Sequence, residues 1–263
     1  MQEKLKIVTI GDYKDSILEK SFKDNKNIEF LELALHEKLE DLNTNFSERD
    51  IVFLRTNEEN LEKLLEVGKA FKEKEIDTVT VLEKKLVIEN KKVLEKAINA
   101  IFPVSKKDDI DNLLLELIKM IDSIIYGVCF INLDIEDVKS MLKDSGISVF
   151  GSLNINKTIS KEEIIKNITY PFYTKTLKNS KKFLVFLDTL EGFVLTEGEV
   201  ITDILKNETS QKIEDMLFSI RMGNSLENRI ECRFIAGVFS EKEEKIKVNK
   251  EVVDGEKEDI LKY

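Results

Sequence analysis

Histidine is nearly missing from this chain. His36 stands alone, which excludes a multi-histidine metal centre and argues against a Ser/His/Asp triad, because both need imidazoles as ligands or bases. Cysteine is scarce too, with only Cys129 and Cys232. Both sit in apolar contexts, Val128-Cys129-Phe130 and Glu231-Cys232-Arg233-Phe234, without a Cys-x-x-Cys spacing, and read as buried free thiols. No apolar run reaches the ~18 residues a membrane span needs. An excess of positive charge is also lacking: 51 acidic against 41 basic residues give a formal charge of −10, which argues against a dedicated nucleic-acid surface. The opening residues Met1-Gln2-Glu3-Lys4-Leu5-Lys6 carry no signal-peptide hydrophobic region, so the expected compartment is the cytoplasm. No internal repeat and no Ser/Gly/Pro linker punctuates the sequence.

What the chain has is apolar substance in regular patterns. At 263 residues and 42% hydrophobic it can bury a sizeable core, as one domain or as two tightly packed halves. Leu5 to Ile10 is β-branched and stops at Gly11, as a buried parallel strand would. Phe30 to Ala34, Asp50 to Leu54 and Thr78 to Leu82 read as three further strands. Helical patterns alternate with them: Glu59 to Glu73 places Leu61, Leu64, Leu65, Gly68 and Phe71 on one face, and Lys91 to Ile101 follows. Strand alternating with helix predicts a parallel, doubly wound α/β sheet over residues 1–107.

From Asp108 to Tyr126 the chain carries Ile110, Leu113, Leu114, Leu117, Ile118, Ile121, Ile124 and Ile125 at helical spacing, with Leu115 and Met120 widening the stripe. A helix this apolar is buried on most sides, so residues 108–128 are expected to form a rod between two halves. Asp108 is a candidate N-cap, with Asp111 near the positive end of the helix dipole. Beyond it, Gly146 to Gly151, Lys182 to Leu187, a short strand after Ile213, and Arg229 to Phe239 alternate, which predicts a smaller mixed sheet with helices starting near Ser160 and Thr196. Residues 241–263 are charged and read as a tail.

One segment carries chemistry. In Ile131-Asn132-Leu133-Asp134-Ile135-Glu136-Asp137-Val138 two carboxylates stand three residues apart where an apolar run turns into a helix. That spacing serves helix capping, because an N-cap Asp and an acid three residues on satisfy free backbone N–H groups. It also serves water activation by a carboxylate, and the two roles can share one helix start.

The segment resembles the catalytic Asn-x-Asp-x-x-Asp loop of FtsZ, the tubulin-like bacterial division GTPase, which reaches into the nucleotide site of the next subunit. Further fragments follow in the family's order: Gly146 to Gly151, Tyr170-Pro171-Phe172, Phe183 to Leu187, Val194-Leu195-Thr196-Glu197-Gly198-Glu199-Val200, and Met216-Leu217-Phe218 through Ala236-Gly237-Val238-Phe239. The resemblance implies a tubulin/FtsZ-like fold: a parallel doubly wound N-terminal half (1–107), a long central helix (108–128), a smaller α+β C-terminal half (129–240) and a tail (241–263). It implies Asn132, Asp134 and Asp137 as the catalytic-loop residues. Glu89 falls where the family meets the ribose, and Asp111 or Asn112 where an acid reads guanine.

The N-terminal half departs from that pattern. FtsZ has a glycine cluster after its first strand and a Gly-Gly-Gly-Thr-Gly-Thr-Gly run at a later helix N-terminus, so that backbone N–H groups can close on phosphates. Here the segments are Gly11-Asp12-Tyr13-Lys14-Asp15 and Arg55-Thr56-Asn57-Glu58-Glu59-Asn60, and only Gly11 survives. Val93 stands at the family's arginine and Val104 at its asparagine. Lys14 and Arg55 could replace glycine backbone as phosphate ligands, against the neighbouring acids. The expectation is therefore an FtsZ-like cytoskeletal protein of cell division with a degenerate GTP site, no metal and no required cofactor, GTP being the one the resemblance leaves open. Its expected partners are copies of itself or a conventional FtsZ filament, with division proteins reached through the tail, whose Glu258-Asp259-Ile260-Leu261-Lys262-Tyr263 resembles the family's C-terminal recruiting peptide. The alternatives are a polymerising GTPase with an unorthodox phosphate site and a non-polymerising adaptor on the same fold.

Overall fold

The computed structural model describes residues 3–11, 17–37, 46–56, 58–107, 109–156, 177, 179–189, 195–209, 212–223 and 229–237. Among the described residues one sheet of nine strands forms the backbone: β1 (Leu5–Ile10), β2 (Ile28–Leu33), β3 (Ile51–Arg55), β4 (Asp77–Glu83), β5 (Ala100–Val104), β6 (Gly146–Asn156), β7 (Lys182–Thr189), β8 (Asp215–Met222) and β9 (Arg229–Gly237), in the order β2-β1-β3-β4-β5-β6-β9-β7-β8. The helices among the described residues are α1 (Ile17–Phe22), α2 (Leu61–Glu73), α3 (Lys84–Ala97), α4 (Asp109–Tyr126), α5 (Ile135–Leu142) and α6 (Leu195–Glu208). A 3-10 turn, Glu58–Asn60, leads into α2.

The first six strands pair in parallel, from Leu5↔Ile28 and Leu5↔Ile51 to Ala100↔Gly146. β3 and β5 are buried along their whole length, as strands covered on both faces must be. Alternate residues feed two different cores. Leu5, Ile7, Phe53, Val79, Val81 and Phe102 meet α1, α4 and α5 on one face, whereas Val8, Ile10, Val52, Leu54 and Ile101 meet α2 and α3 on the other.

The two halves meet at a narrow seam. β5 and β6 pair only at Ala100↔Gly146 and Ile101↔Ile147, after which β6 turns to β9 and runs antiparallel to it from Ser148↔Gly237 to Asn156↔Arg229. Pro103, which lacks an N–H, lies beyond those two pairs, where β5 has a ladder on one side only. Asn99 holds the seam: its side chain accepts from Thr78 N and Thr78 Oγ1, and its carbonyl accepts from Gly146 N. Gly151 has a packing reason as well, since a Cβ there would come within 2.1 Å of the Phe234 ring.

The second half is a mixed sheet, with β7 antiparallel to β9 and parallel to β8. Val149, Phe183, Val185, Leu187 and Phe234 pack on one face with Ile201, Ile204 and Leu205 of α6. Phe150, Leu184, Phe186 and Ile235 pack on the other, in the same cluster as α4 and α5. The apolar stripe read from Asp108 to Tyr126 is thus α4, buried under strands of both halves. The helix expected over Lys91 to Ile101 is a correction: α3 begins seven residues earlier, at Lys84, and Ala100 and Ile101 already belong to β5. The helix expected near Ser160, the cap Asp108, the Tyr170-Pro171-Phe172 segment and the tail 241–263 lie outside the described residues.

Candidate functional site

α4 fixes a direction for the molecule. Its first turn meets the C-terminal end of β3, where Arg55 Nε and Nη2 donate to the two carboxylate oxygens of Asp111 at 2.7 and 2.5 Å. Its last residue, Tyr126, donates its hydroxyl to Glu3 O, at the N-terminal side of β1. Arg55 and Asp111 therefore lie at the C-terminal end of the strands, and the Asn132-Asp134-Asp137 loop that follows Tyr126 lies at the other.

At the C-terminal end, β1 stops at Gly11 with φ +94°, a conformation side chains resist. Gly11 N donates to Leu33 O. The space over Gly11 is filled from α2: Asn60 Nδ2 donates to Ile10 O at 3.1 Å, and a Cβ on Gly11 would lie 2.4 Å from that same nitrogen. Asn60 is buried and occupies the N-cap position of α2, yet its side chain makes no capping bond; it is turned to β1 instead. A short polar side chain thus fills the corner between the first strand and the helix N-terminus.

Beside it, the Arg55–Asp111 pair is bidentate, with the Arg55 side chain 4% exposed. A fork-to-fork pair of this kind engages the Nε/Nη2 edge of the guanidinium and both carboxylate oxygens. Arg55, read as a substitute phosphate ligand, and Asp111, read as a base-recognising acid, are committed to each other. Asn112 is exposed on the first turn of α4. Glu89 is exposed on α3, a helix of the opposite face of the sheet, so the structure brings Gly11 and Asp111 to one end but does not join Glu89 to Asp111. Lys14, with Asp12 and Asp15, lies outside the described residues.

At the other end, Phe130 N donates to Ile220 O and Ile131 bridges Ile220, which pins the chain to β8 before α5 begins. Asn132 Oδ1 accepts from Cys129 N at 3.2 Å, a turn-closing bond. Asp134 is the N-cap of α5: its Oδ1 accepts from Asp137 N at 2.8 Å, while Asp134 N donates to Asp137 Oδ2 at 3.1 Å. This reciprocal box satisfies two free helix N–H groups. It engages one oxygen of each carboxylate, and Asn132 and Asp134 remain exposed. Within one molecule the loop and the Gly11 corner are at opposite ends, so any site built from both needs two molecules.

A third group of residues belongs to no sequence motif. Asp77, the first residue of β4, and Lys139 of α5 are both buried, 3.8 Å apart. Lys139 Nζ donates to Glu48 O and to Glu136 Oε1. They line a cavity of about 480 Å³ with Glu48, Arg49, Glu75, Glu136, Ser140 and Lys143. Burial pushes the Asp77 carboxyl up to about 6, against the pull of Lys139 and Lys143. The available sign was positional: Ile135, Val138, Lys139 and Leu142 share one buried stripe, and a lysine there needs partners.

Cys129 and Cys232 are both buried and free, and desolvation raises the Cys232 thiol well above its ordinary range. Among the described residues no cluster of three or more His, Cys, Asp or Glu is placed to hold a metal ion, and no helix is long and apolar enough to cross a membrane.

Comparison with known proteins gives this geometry its context. No family model matches the chain. It is 26% identical over 165 residues to the cell division protein FtsZ of Mycoplasmopsis pulmonis, a match covering 60% of this chain and 40% of that relative. Among solved structures it is similar to an empty FtsZ dimer from M. jannaschii, with a TM-score of 0.68, 13% identity, and coverage of 90% of this chain and 88% of the other. It is also similar to TubZ of Bacillus thuringiensis serovar israelensis in GDP-form protofilaments, with a TM-score of 0.65, 10% identity, and coverage of 89% and 84%. The chain therefore has the FtsZ/tubulin-like fold: a mostly parallel nine-stranded sheet with a long central helix beneath both of its halves.

Proposed function

We propose that this chain is an FtsZ-like cytoskeletal protein of bacterial cell division that works by association, with itself or with a conventional FtsZ filament, and binds GTP weakly or not at all. The observation that carries this reading is the Asn60 side chain packed over Gly11, at the corner where the FtsZ resemblance requires open glycine backbone for phosphates. A phosphate held by a helix N-terminus needs room for its oxygens to reach the backbone N–H groups. Here an amide side chain fills that room, and the nearest guanidinium is neutralised by Asp111. The association half of the reading is supported by the fold shared with an FtsZ dimer and with TubZ protofilaments.

Asn132, Asp134 and Asp137 then act as the loop offered to a neighbouring molecule's nucleotide. Asn132 and Asp134 are exposed, and one oxygen of each carboxylate stands outside the capping box, at the end of the molecule away from its own corner. Equilibrium titration of the purified protein with a fluorescent GTP analogue and magnesium tests the nucleotide half. The expected outcome is no saturable binding in the low-micromolar range; competable binding at that level would overturn it.

A further inference from the structure

Buried polar groups in folded proteins find hydrogen-bond partners, so an exception points to something the protein is built to receive. Two exceptions lie at the N-terminal ends of β4 and β5. Asp77 is 5% exposed, and among the described residues neither of its carboxylate oxygens accepts a hydrogen bond. Lys139 faces it, but Lys139 Nζ donates to Glu48 O and Glu136 Oε1 and stays 3.8 Å from Asp77 Oδ2. Asn99 is 4% exposed. Its Oδ1 accepts from Thr78 N, a group that can only donate, which fixes the orientation of the amide. Asn99 Nδ2 therefore points away from Thr78, and among the described residues it makes no hydrogen bond.

Both groups open onto the same space. Asp77 lines the cavity of about 480 Å³, and Asp77 and Asn99 together line a second of about 140 Å³. The two cavities share Glu75, Asp77 and Lys143 in their walls. Glu75 stands just past α2 with φ +58°, a position where glycine is usual, and so puts a carboxylate on the wall of both.

The two buried groups ask for opposite things. An ionised Asp77 needs N–H or O–H donors, and the larger cavity sets four carboxylates against three cationic side chains, so a positive charge is favoured there. Asn99 Nδ2 needs an acceptor. Among the described residues no three His, Cys, Asp or Glu are placed to hold a metal ion. An ammonium supplies both the charge and the donors.

We propose that these adjoining cavities bind a small primary ammonium compound that also carries an acceptor oxygen, its ammonium donating to Asp77 and its oxygen accepting from Asn99 Nδ2. The site is at the opposite end of the strands from Gly11, so it stands whether or not the chain holds a nucleotide. A cation on Asp77 replaces the proton that burial keeps there up to about pH 6, so affinity rises with pH through that value and levels off above it. α5 and the turn after it face Asp77 with Glu136, Lys139, Lys143 and Asp144. The turn before β3 brings Glu48 and Arg49, and the end of α2 brings Lys72 and Glu75. Any pH dependence that survives in Asp77→Asn belongs to those groups.

The test is calorimetric titration of the full chain at pH 7.5 with ethanolamine, ethylene glycol and glycolate, which keep one hydroxyl and exchange an ammonium for a neutral or an anionic group. Ethanolamine should bind saturably, and the other two at least tenfold more weakly. Ethylamine, which lacks the oxygen, should bind about fivefold more weakly than ethanolamine. Asp77→Asn should lose at least tenfold in ethanolamine affinity, with its urea midpoint checking the fold. A measurement that needs no variant is the same titration at pH 5.5, where wild type should bind about fourfold more weakly because most Asp77 is protonated, while an alkyl ammonium keeps its charge. No saturable binding of ethanolamine, tighter binding of glycolate, or a folded Asp77→Asn that binds ethanolamine as wild type does would each overturn the proposal. Ethylamine bound as tightly as ethanolamine would overturn the Asn99 contact.

Discussion

Asp77 is the residue whose energetics are most exposed to experiment. It begins a central strand, so its carboxylate is placed by the backbone whether or not partners exist. Lys139 answers at 3.8 Å, a distance at which it does not donate a hydrogen bond. Desolvation outweighs that attraction, and the carboxyl rises from 3.8 to about 6. The native state therefore binds more protons than the unfolded chain between about pH 4 and 6, and this group's contribution makes stability fall as pH rises through that window. At neutral pH, where the group is ionised in both states, this lowers folding stability by on the order of 3 kcal/mol relative to a carboxyl that stays protonated. Asp77→Asn resembles the protonated form, so it should raise the urea midpoint at pH 7 to 8, with the gain shrinking as pH falls through the window and vanishing only below the unfolded value of 3.8. A variant less stable than wild type at pH 7.5 would show that the pair with Lys139 dominates, as it does for most buried ion pairs cut on one side.

At the scale of elements, α5 shows how one local device can serve two purposes and how to separate them. The box between Asp134 and Asp137 caps the helix. Asp134→Ala should lower stability by about 1 kcal/mol, whereas Asp134→Ser should retain most of it, because serine caps a helix as well as aspartate does. Urea unfolding of both variants at neutral pH is the measurement. Equal losses in the two would mean that the negative charge near the helix dipole, not the hydrogen bond, holds the first turn.

This element was legible in the sequence because capping is local, three residues from donor to acceptor. So were β1, β3, β4 and α4, whose periodicity and burial agree. α3 was misplaced for a physical reason as well: β4 ends at Glu83 and α3 starts at Lys84 with no turn residue between, and Leu94, Ala97, Ile98 and Ile101 keep helical spacing across the end of the helix into β5. Arg55–Asp111 and Asn60–Ile10 could not be read at all. Their partners are 56 and 50 residues apart, and only the folded sheet brings them together.

At the scale of the whole molecule the two ends are unequal. The end bearing Gly11 carries Asn60 over that glycine and the Arg55–Asp111 pair beside it, while the end bearing Asn132, Asp134 and Asp137 leaves Asn132 and Asp134 exposed. On the proposed reading such a molecule would offer its loop to the nucleotide of a conventional FtsZ and would present no comparable nucleotide to the next subunit, so growth past it should be impaired. Substoichiometric addition should therefore change the length or the GTP turnover of conventional FtsZ filaments. The cap-retaining variant separates chemistry from architecture here too: Asp134→Ser keeps α5 in place and removes one carboxylate. If turnover falls or rises with wild type and returns to its basal value with that variant, the carboxylate acts on the neighbour's nucleotide. If the variant changes length and turnover as wild type does, Asp134 is a cap and the effect comes from docking alone. If wild type changes neither, contact between the two proteins through this loop is the wrong idea, whatever the chain does with copies of itself.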